Sequence, residues 1–285
     1  MTKRIVTGLI LTVVMAGAVG FGPFWVLAPL LSLAVLAALY EFLRLPGDTL
    51  KVIDRVAGLV AGASLLSVAA LCHHEAVMPM MVLTLAGLTV GLLLLVLFTP
   101  HPIEQAGPRA AALLTGLFYV ALLGSFALMI ARPETGREGR FVLLLVAVVT
   151  WLNDSMAFFG GKLLGRHKLY PTVSPKKTWE GSIAGLMGSV LGAFVVKWIF
   201  IGLVDDPEFQ GRLSLAHLVG FALLGGALGQ VGDLVESVFK RSYGIKDSGT
   251  ILPGHGGLLD RIDAFLFVAP FGFFWFYLPE LSFYF

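Results

Sequence analysis

Five carboxylates stand out in the second half of a largely apolar chain, and their spacing suggests metal chemistry. Asp233 and Glu236 lie at i and i+3 with Ser237 at i+4, so a helix carries all three on one face. Asp260 and Asp263 repeat the i, i+3 spacing, and Asp154 lies in WLNDSMAFFGGK. A hard divalent cation such as Mg2+ takes oxygen ligands, typically one or two carboxylates plus substrate phosphates. Asp233, Asp260 and Asp263 have the right atoms for that if their helices lie side by side. The plainer alternative is that Asp260 and Asp263 only complement the positive end of a helix.

Cations and glycines surround these acids. Lys240, Arg241, Lys246 and Arg261 flank one polar loop, and Lys162, Arg166, Lys168, Lys176 and Lys177 populate another. PGHGGLLDRID reads as a loop whose backbone approaches a ligand closely, since glycine adds no side-chain bulk. The amides of the helix that follows would favour an anion. VSPKKTWEG reads as a helix opening, with Ser174 as N-cap, Pro175 at the first position and the Lys176–Lys177 pair as an anion clamp. Capping alone accounts for Ser174 and Pro175 but leaves the paired lysines unexplained. Metal-binding carboxylates, clustered cations and glycine loops together suit a polyphosphate.

The elements that must position these residues are membrane helices. Of 285 residues, 57% are hydrophobic and 13% charged, against about 45–50% and about 25% in a soluble domain. Mean hydropathy is +0.88. Apolar runs of roughly 20 residues are long enough to cross a bilayer as helices. The reading is all-α and polytopic, with nine spans near 4–20, 24–43, 56–72, 77–99, 110–131, 141–160, 178–203, 214–232 and 262–280. The first run follows Lys3 and Arg4 and is read as an uncleaved helix, because apolar sequence resumes at once.

A cytoplasmic N-terminus places fifteen of the twenty Lys and Arg residues on that side. Such asymmetry orients a membrane chain. Both polar loops, 161–177 and 233–261, then face the cytoplasm. Asp154, about six residues before the cytoplasmic end of its span, lies roughly 9 Å below the surface at about 1.5 Å per residue. Residues 1–140 form an N-terminal membrane region of five helices, and 141–285 carry the chemistry. The single cysteine, Cys72, excludes an internal disulfide. Neither GxxxxGK[ST] nor HExxH occurs, which argues against a P-loop nucleotidase and a zincin. A secondary transporter is the different-class alternative, but transport expects charges near the midplane and repeated halves.

Residues 237–263 read SVFKRSYGIKDSGTILPGHGGLLDRID. This resembles the signature of the phosphatidate cytidylyltransferase (CDP-diacylglycerol synthase) family. Ser237, Lys240, Arg241, Lys246, Asp247, His255, Gly256, Gly257, Asp260, Arg261 and Asp263 all fall in place. Residues 153–181, NDSMAFFGGKLLGRHKLYPTVSPKKTWEG, are similar to the family's second block. The first 140 residues resemble it only in being hydrophobic.

The resemblance implies that CTP and phosphatidic acid give CDP-diacylglycerol and pyrophosphate with Mg2+, and admits a second, monovalent cation such as K+. Asp233, Asp260 and Asp263 would hold the metal. Lys246 and His255 would assist the chemistry. Ser174, Lys176, Lys177, Ser237, Lys240, Arg241, Asp247, Gly256, Gly257, Arg261, Asn153 and Asp154 would contact substrates. Expected partners are CTP, phosphatidic acid in the bilayer, the surrounding lipids and a second copy of the chain, with no nucleic acid. The expected location is a bacterial inner membrane, with the site facing the cytoplasm. A cytidylyltransferase for another lipid phosphate, such as an isoprenoid ether lipid, shares this chemistry.

Overall fold

A computed structural model of the chain describes residues 17–20, 22–200, 207–251 and 256–281. The first expected span lies outside these residues apart from a helical 17–20. The other described residues are mostly helical, with one small hairpin, short connections and non-helical stretches at 243–251 and 256–258. In chain order come α1 (Phe24–Arg44), α2 (Val52–Leu71), α3 (His74–Phe98), α4 (Ile103–Ile130), α5 (Gly136–Leu164), β1 (Lys168–Tyr170) and β2 (Ser174–Thr178). They are followed by α6 (Trp179–Phe200), the short α7 (Pro207–Arg212), α8 (Leu215–Ser242) and α9 (Leu259–Leu281). Seven of these helices, all but α7 and α9, are long and apolar enough to cross a membrane. The chain is an all-α polytopic membrane protein.

Burial follows the helical period. In α1, Leu27, Leu31, Val35, Leu39, Phe42 and Leu43 are buried, three or four residues apart along one stripe. That stripe meets α2 and the middle of α4, which winds as a π-helix over Gly116–Leu122. Such wide turns recur at functional sites. The Asp54 and Arg109 side chains, both fully buried, join α2 to α4 through Arg109 Nη2 and Asp54 Oδ1 at 2.7 Å. By contrast α3 buries little of its surface, as expected of a lipid-facing helix.

The second half is organised around two pairs. α5 and α6 form the most extensive pairing, made close by glycines. A Cβ on Gly188 would stand 2.6 Å from the Leu152 carbonyl oxygen. Asn153 lies in this seam, where its amide donates to Ser189 Oγ at 2.8 Å and accepts from Gln230 Nε2 at 3.0 Å. α8 pairs with α9, and α9 also touches α1, α4 and α5. It is the hub that joins the two halves.

Two expectations need correction. Residues 174–178 are strand β2, and α6 opens at Trp179. Ser174 therefore caps nothing; Thr178 is the cap, its Oγ1 accepting from Gly181 N at 3.1 Å. The reason is the antiparallel pairing of β2 with β1, Lys168 opposite Thr178 and Tyr170 opposite Ser174. The eighth helix also does not end near 232 but runs to Ser242. Hydropathy drops there, yet the buried stripe continues through Gly229, Gly232, Glu236 and Lys240. The helix stops at Gly244, whose φ of +70° is left-handed. Ile245 N then reaches Lys240 O at 3.0 Å and Gly244 N reaches Arg241 O at 3.0 Å, the paired bonds of a Schellman ending.

Candidate active site

The extended α8 presents Asp233, Glu236, Ser237 and Lys240 along one face, since these positions are three or four residues apart. Glu236 is 1% exposed and pairs with Lys240 one turn later. Lys240 Nζ also reaches Asp260 Oδ1 on α9 at 2.6 Å, so one ammonium bridges the two helices. Ser237 Oγ lies 3.4 Å from Asp233 Oδ1.

Asp260 is the most heavily bonded acid of the group. Besides Lys240 it accepts from Ser248 N at 3.0 Å and Gly257 N at 2.8 Å. Gly256 sits beside it with φ of +81°, and a Cβ there would stand 2.9 Å from Asp260 Oδ2. Asp263, one turn on, is buried at 6% exposure, and its Oδ1 accepts from the next amide, Ala264 N, at 2.8 Å. Asp233, Glu236 and Asp154 all lie close enough to act on Asp263 electrostatically.

The hairpin and α5 complete the ring of charges. Lys177 Nζ lies 2.6 Å from Asp233 Oδ2. Two anchors hold the hairpin there. Glu180 accepts from Arg166 N at 3.1 Å and from His167 N, and Arg241 donates to Val173 O at 3.4 Å and Ile245 O at 2.8 Å. Lys176, next to Lys177, is exposed. Asp154 lies ten residues before the end of α5 yet is exposed, and its electrostatic neighbours are Asp233, Lys177 and Arg261. Five carboxylates thus face three cations, Lys177, Lys240 and Arg261. At full ionisation the site is two positive charges short. Among the described residues, no three metal-ligating side chains are already gathered around one point.

An acidic, oxygen-only centre with glycine-lined amides and clustered cations suits handling of a polyphosphate. The model of the cytidylyltransferase family matches residues 2–278 of the chain. The chain belongs to the cytidylyltransferase family. Over 137 residues it is 46% identical to phosphatidate cytidylyltransferase from Staphylococcus aureus (strain COL), covering 48% of this chain and 49% of the relative. The same-named proteins of Staphylococcus saprophyticus and Staphylococcus epidermidis are 47% and 44% identical over 137 residues. Each alignment spans about half the length of the relative.

In this member of the family the expected residues fall into three groups. Asp154, Lys177, Asp233, Ser237, Lys240, Gly256, Gly257, Asp260 and Asp263 surround the charged centre, with Arg261 at its edge. Lys176, Lys246 and Asp247 are exposed beside it, and neither lysine has an ion-pair partner among the described residues. Asn153, Ser174 and Arg241 serve the framework, in the α5–α6 seam, the hairpin register and the hairpin anchor respectively. His255 lies outside the described residues.

Sequence reasoning missed two residues from the N-terminal half. Tyr119, on the π turn, is 7% exposed, and its hydroxyl has no hydrogen-bond partner among the described residues. Asp263, Glu236 and Asp233 act on it, while Phe42, Phe239 and Phe267 hold its ring with centroids 5.8, 5.5 and 6.1 Å away. Glu41, 2% exposed on α1, reaches the signature loop. A lone Glu in an apolar helix is itself a functional signal. It goes unnoticed because it lies three residues from the helix end, among what look like interfacial charges.

Proposed function

We propose that this protein is a phosphatidate cytidylyltransferase, which joins CTP to phosphatidic acid within the bilayer and releases pyrophosphate. The observation that carries the reading is the shared charged centre of α5, α8, α9 and β2. Carboxylates of three helices lie within electrostatic reach of one another there, and Lys177 is already held against Asp233. The family membership and the names of the staphylococcal relatives support the same reaction.

Little covalent help is needed from the protein. The phosphate monoester of phosphatidic acid is already anionic. One of its oxygens attacks the α-phosphorus of CTP in line, the new P–O bond forms, and the bond to the β-phosphate oxygen breaks with its electron pair on pyrophosphate. The protein's part is to align two polyanions and neutralise charge as it moves. Lys176 and Lys246 are exposed to receive phosphate oxygens, and Lys177 can exchange Asp233 for one. Ser248 N and Gly257 N keep Asp260 aimed at the centre.

The donor set fits Mg2+: it is all oxygen, it is two charges short, and lysine ammoniums stand as cations at Asp233 and Asp260. Asp233, Asp260 and Asp263 would hold the ion, which when bound supplies charge neutralisation on the CTP phosphates; a monovalent ion such as K+ beside it belongs to the same proposal. The Lys and Arg count favours a cytoplasmic N-terminus and a site on the cytoplasmic face of a bacterial inner membrane.

The test uses purified protein in lipid with radiolabelled CTP and, in separate arms, phosphatidic acid, an isoprenoid ether phosphate or a lipid alcohol. The expected result is labelled CDP-diacylglycerol from phosphatidic acid alone, abolished by chelation and by Asp260→Asn in protein that remains folded. Product only with the ether phosphate reassigns the substrate. Movement of substrate across sealed vesicles without pyrophosphate release identifies a transporter.

A further inference from the structure

We propose that Glu41 of α1 is a positioning residue of this centre: it ties Ser248 and Gly249 to Gly257 and caps α9, holding Asp260 and Asp263 in register with α8. The proposal rests on the reaction assigned above for its catalytic readout, but not for its structural one.

Glu41 Oε2 accepts two hydrogen bonds, from Ser248 Oγ at 3.1 Å and from the backbone N–H of Leu259 at 2.9 Å. Leu259 is the first residue of α9, and the first four N–H groups of any helix lack partners within it. A carboxylate is favoured at that end by the helix field. Glu41 is therefore a cap supplied by another helix, 218 residues away in sequence. No lysine or arginine pairs with it among the described residues.

Gly249 and Gly257 converge on this one side chain. A Cβ on Gly249 would collide with Glu41 Oε1, and one on Gly257 would collide with Ser248 Oγ and Glu41 Oε2. The glycines at these two positions are thus explained by the carboxylate lying against their backbone. The same two stretches serve the reaction centre, because Ser248 N and Gly257 N are two of the donors on Asp260. A chain of contacts runs from Glu41 through Ser248 and Gly257 to Asp260, and on to Lys240 and Glu236 of α8. The hydrogen bonds of Glu41 go to Ser248 and Leu259, neither of them placed on substrate, so it acts through the residues that hold Asp260.

The test compares Glu41→Gln, Glu41→Ala and Ser248→Ala in the full chain, reconstituted in lipid. One readout is kcat and KM for CTP and phosphatidic acid per folded molecule. The other is hydrogen–deuterium exchange over 243–251 and the first turn of α9. We expect kcat to fall at least about tenfold in Glu41→Ala, less in Glu41→Gln, with both KM values within about twofold, the pattern of lost alignment rather than lost binding. Exchange rises in the same order. Ser248→Ala lowers kcat, and combining it with Glu41→Ala costs no more than Glu41→Ala alone.

If Glu41→Ala fails to fold, Glu41→Gln carries the test. A kcat per folded molecule within about twofold of the parent in Glu41→Gln, with loop exchange unchanged, overturns the proposal. If the parent protein makes no CDP-diacylglycerol, the assigned reaction is wrong, and exchange alone judges Glu41. Loop protection unchanged in the foldable variant then overturns the role proposed for it.

Discussion

Lys177 and Lys240 differ in how freely they can change partners, and that difference separates binding from framework. Lys177 is a quarter exposed, and its ion pair with Asp233 spans a hairpin and a helix. Lys240 is buried between Glu236 and Asp260. Removing Lys177 costs little stability, under about 1 kcal/mol for a pair this exposed. It does remove a cation that substrate phosphate would take over. Lys177→Met is therefore expected to leave the unfolding temperature nearly unchanged while lowering kcat/KM at least about tenfold, measured by product formation over a range of CTP concentrations. The carboxylates were legible in the sequence because each is costly in an apolar chain and recurs at helical spacing. Glu41 and Tyr119 were not, because what gives them meaning is a loop and a helix more than a hundred residues further on.

Among the elements, α2 and α4 depend on one buried ion pair. Asp54 and Arg109 are both fully buried; Arg109 Nη2 and Nε reach the carboxylate at 2.7 and 3.3 Å, and Lys51 N adds a third bond at 2.9 Å. Breaking such a pair from one side leaves a charge with no compensation. Arg109→Met is expected to destabilise by about 3–5 kcal/mol, and Asp54→Leu added to it should recover most of that loss. Thermal unfolding of the two variants in one detergent checks both signs. Hydropathy was enough to find these helices, since bilayer crossing and apolar content are the same property. It failed where an element is held by something else. The last turns of α8 are kept helical by Glu236 and Lys240 facing α9. The hairpin exists because Glu180 and Arg241 tie it down, although SPKK alone looks like a helix start.

On the scale of the whole molecule, the two halves are packed together at the charged centre. The signature residues lie after residue 150, yet Glu41 and Tyr119 enter the centre from α1 and α4, and α9 touches both. Residues 136–285 expressed alone should insert but make no product. Co-expression with residues 1–135 should restore activity, because the missing contacts are noncovalent. Activity from the C-terminal piece alone would show that the first half only anchors the enzyme.

The distance in sequence between Glu41 and its partners also has a consequence for manufacture. α1 leaves the ribosome 218 residues ahead of Leu259, a lag of about 10–40 s at about 5–20 residues per second. Throughout that interval its carboxyl has neither hydroxyl nor amide to meet, so a nascent chain carries an open polar group near the edge of the hydrocarbon. The cap of α9 therefore closes only after Leu259 has been made.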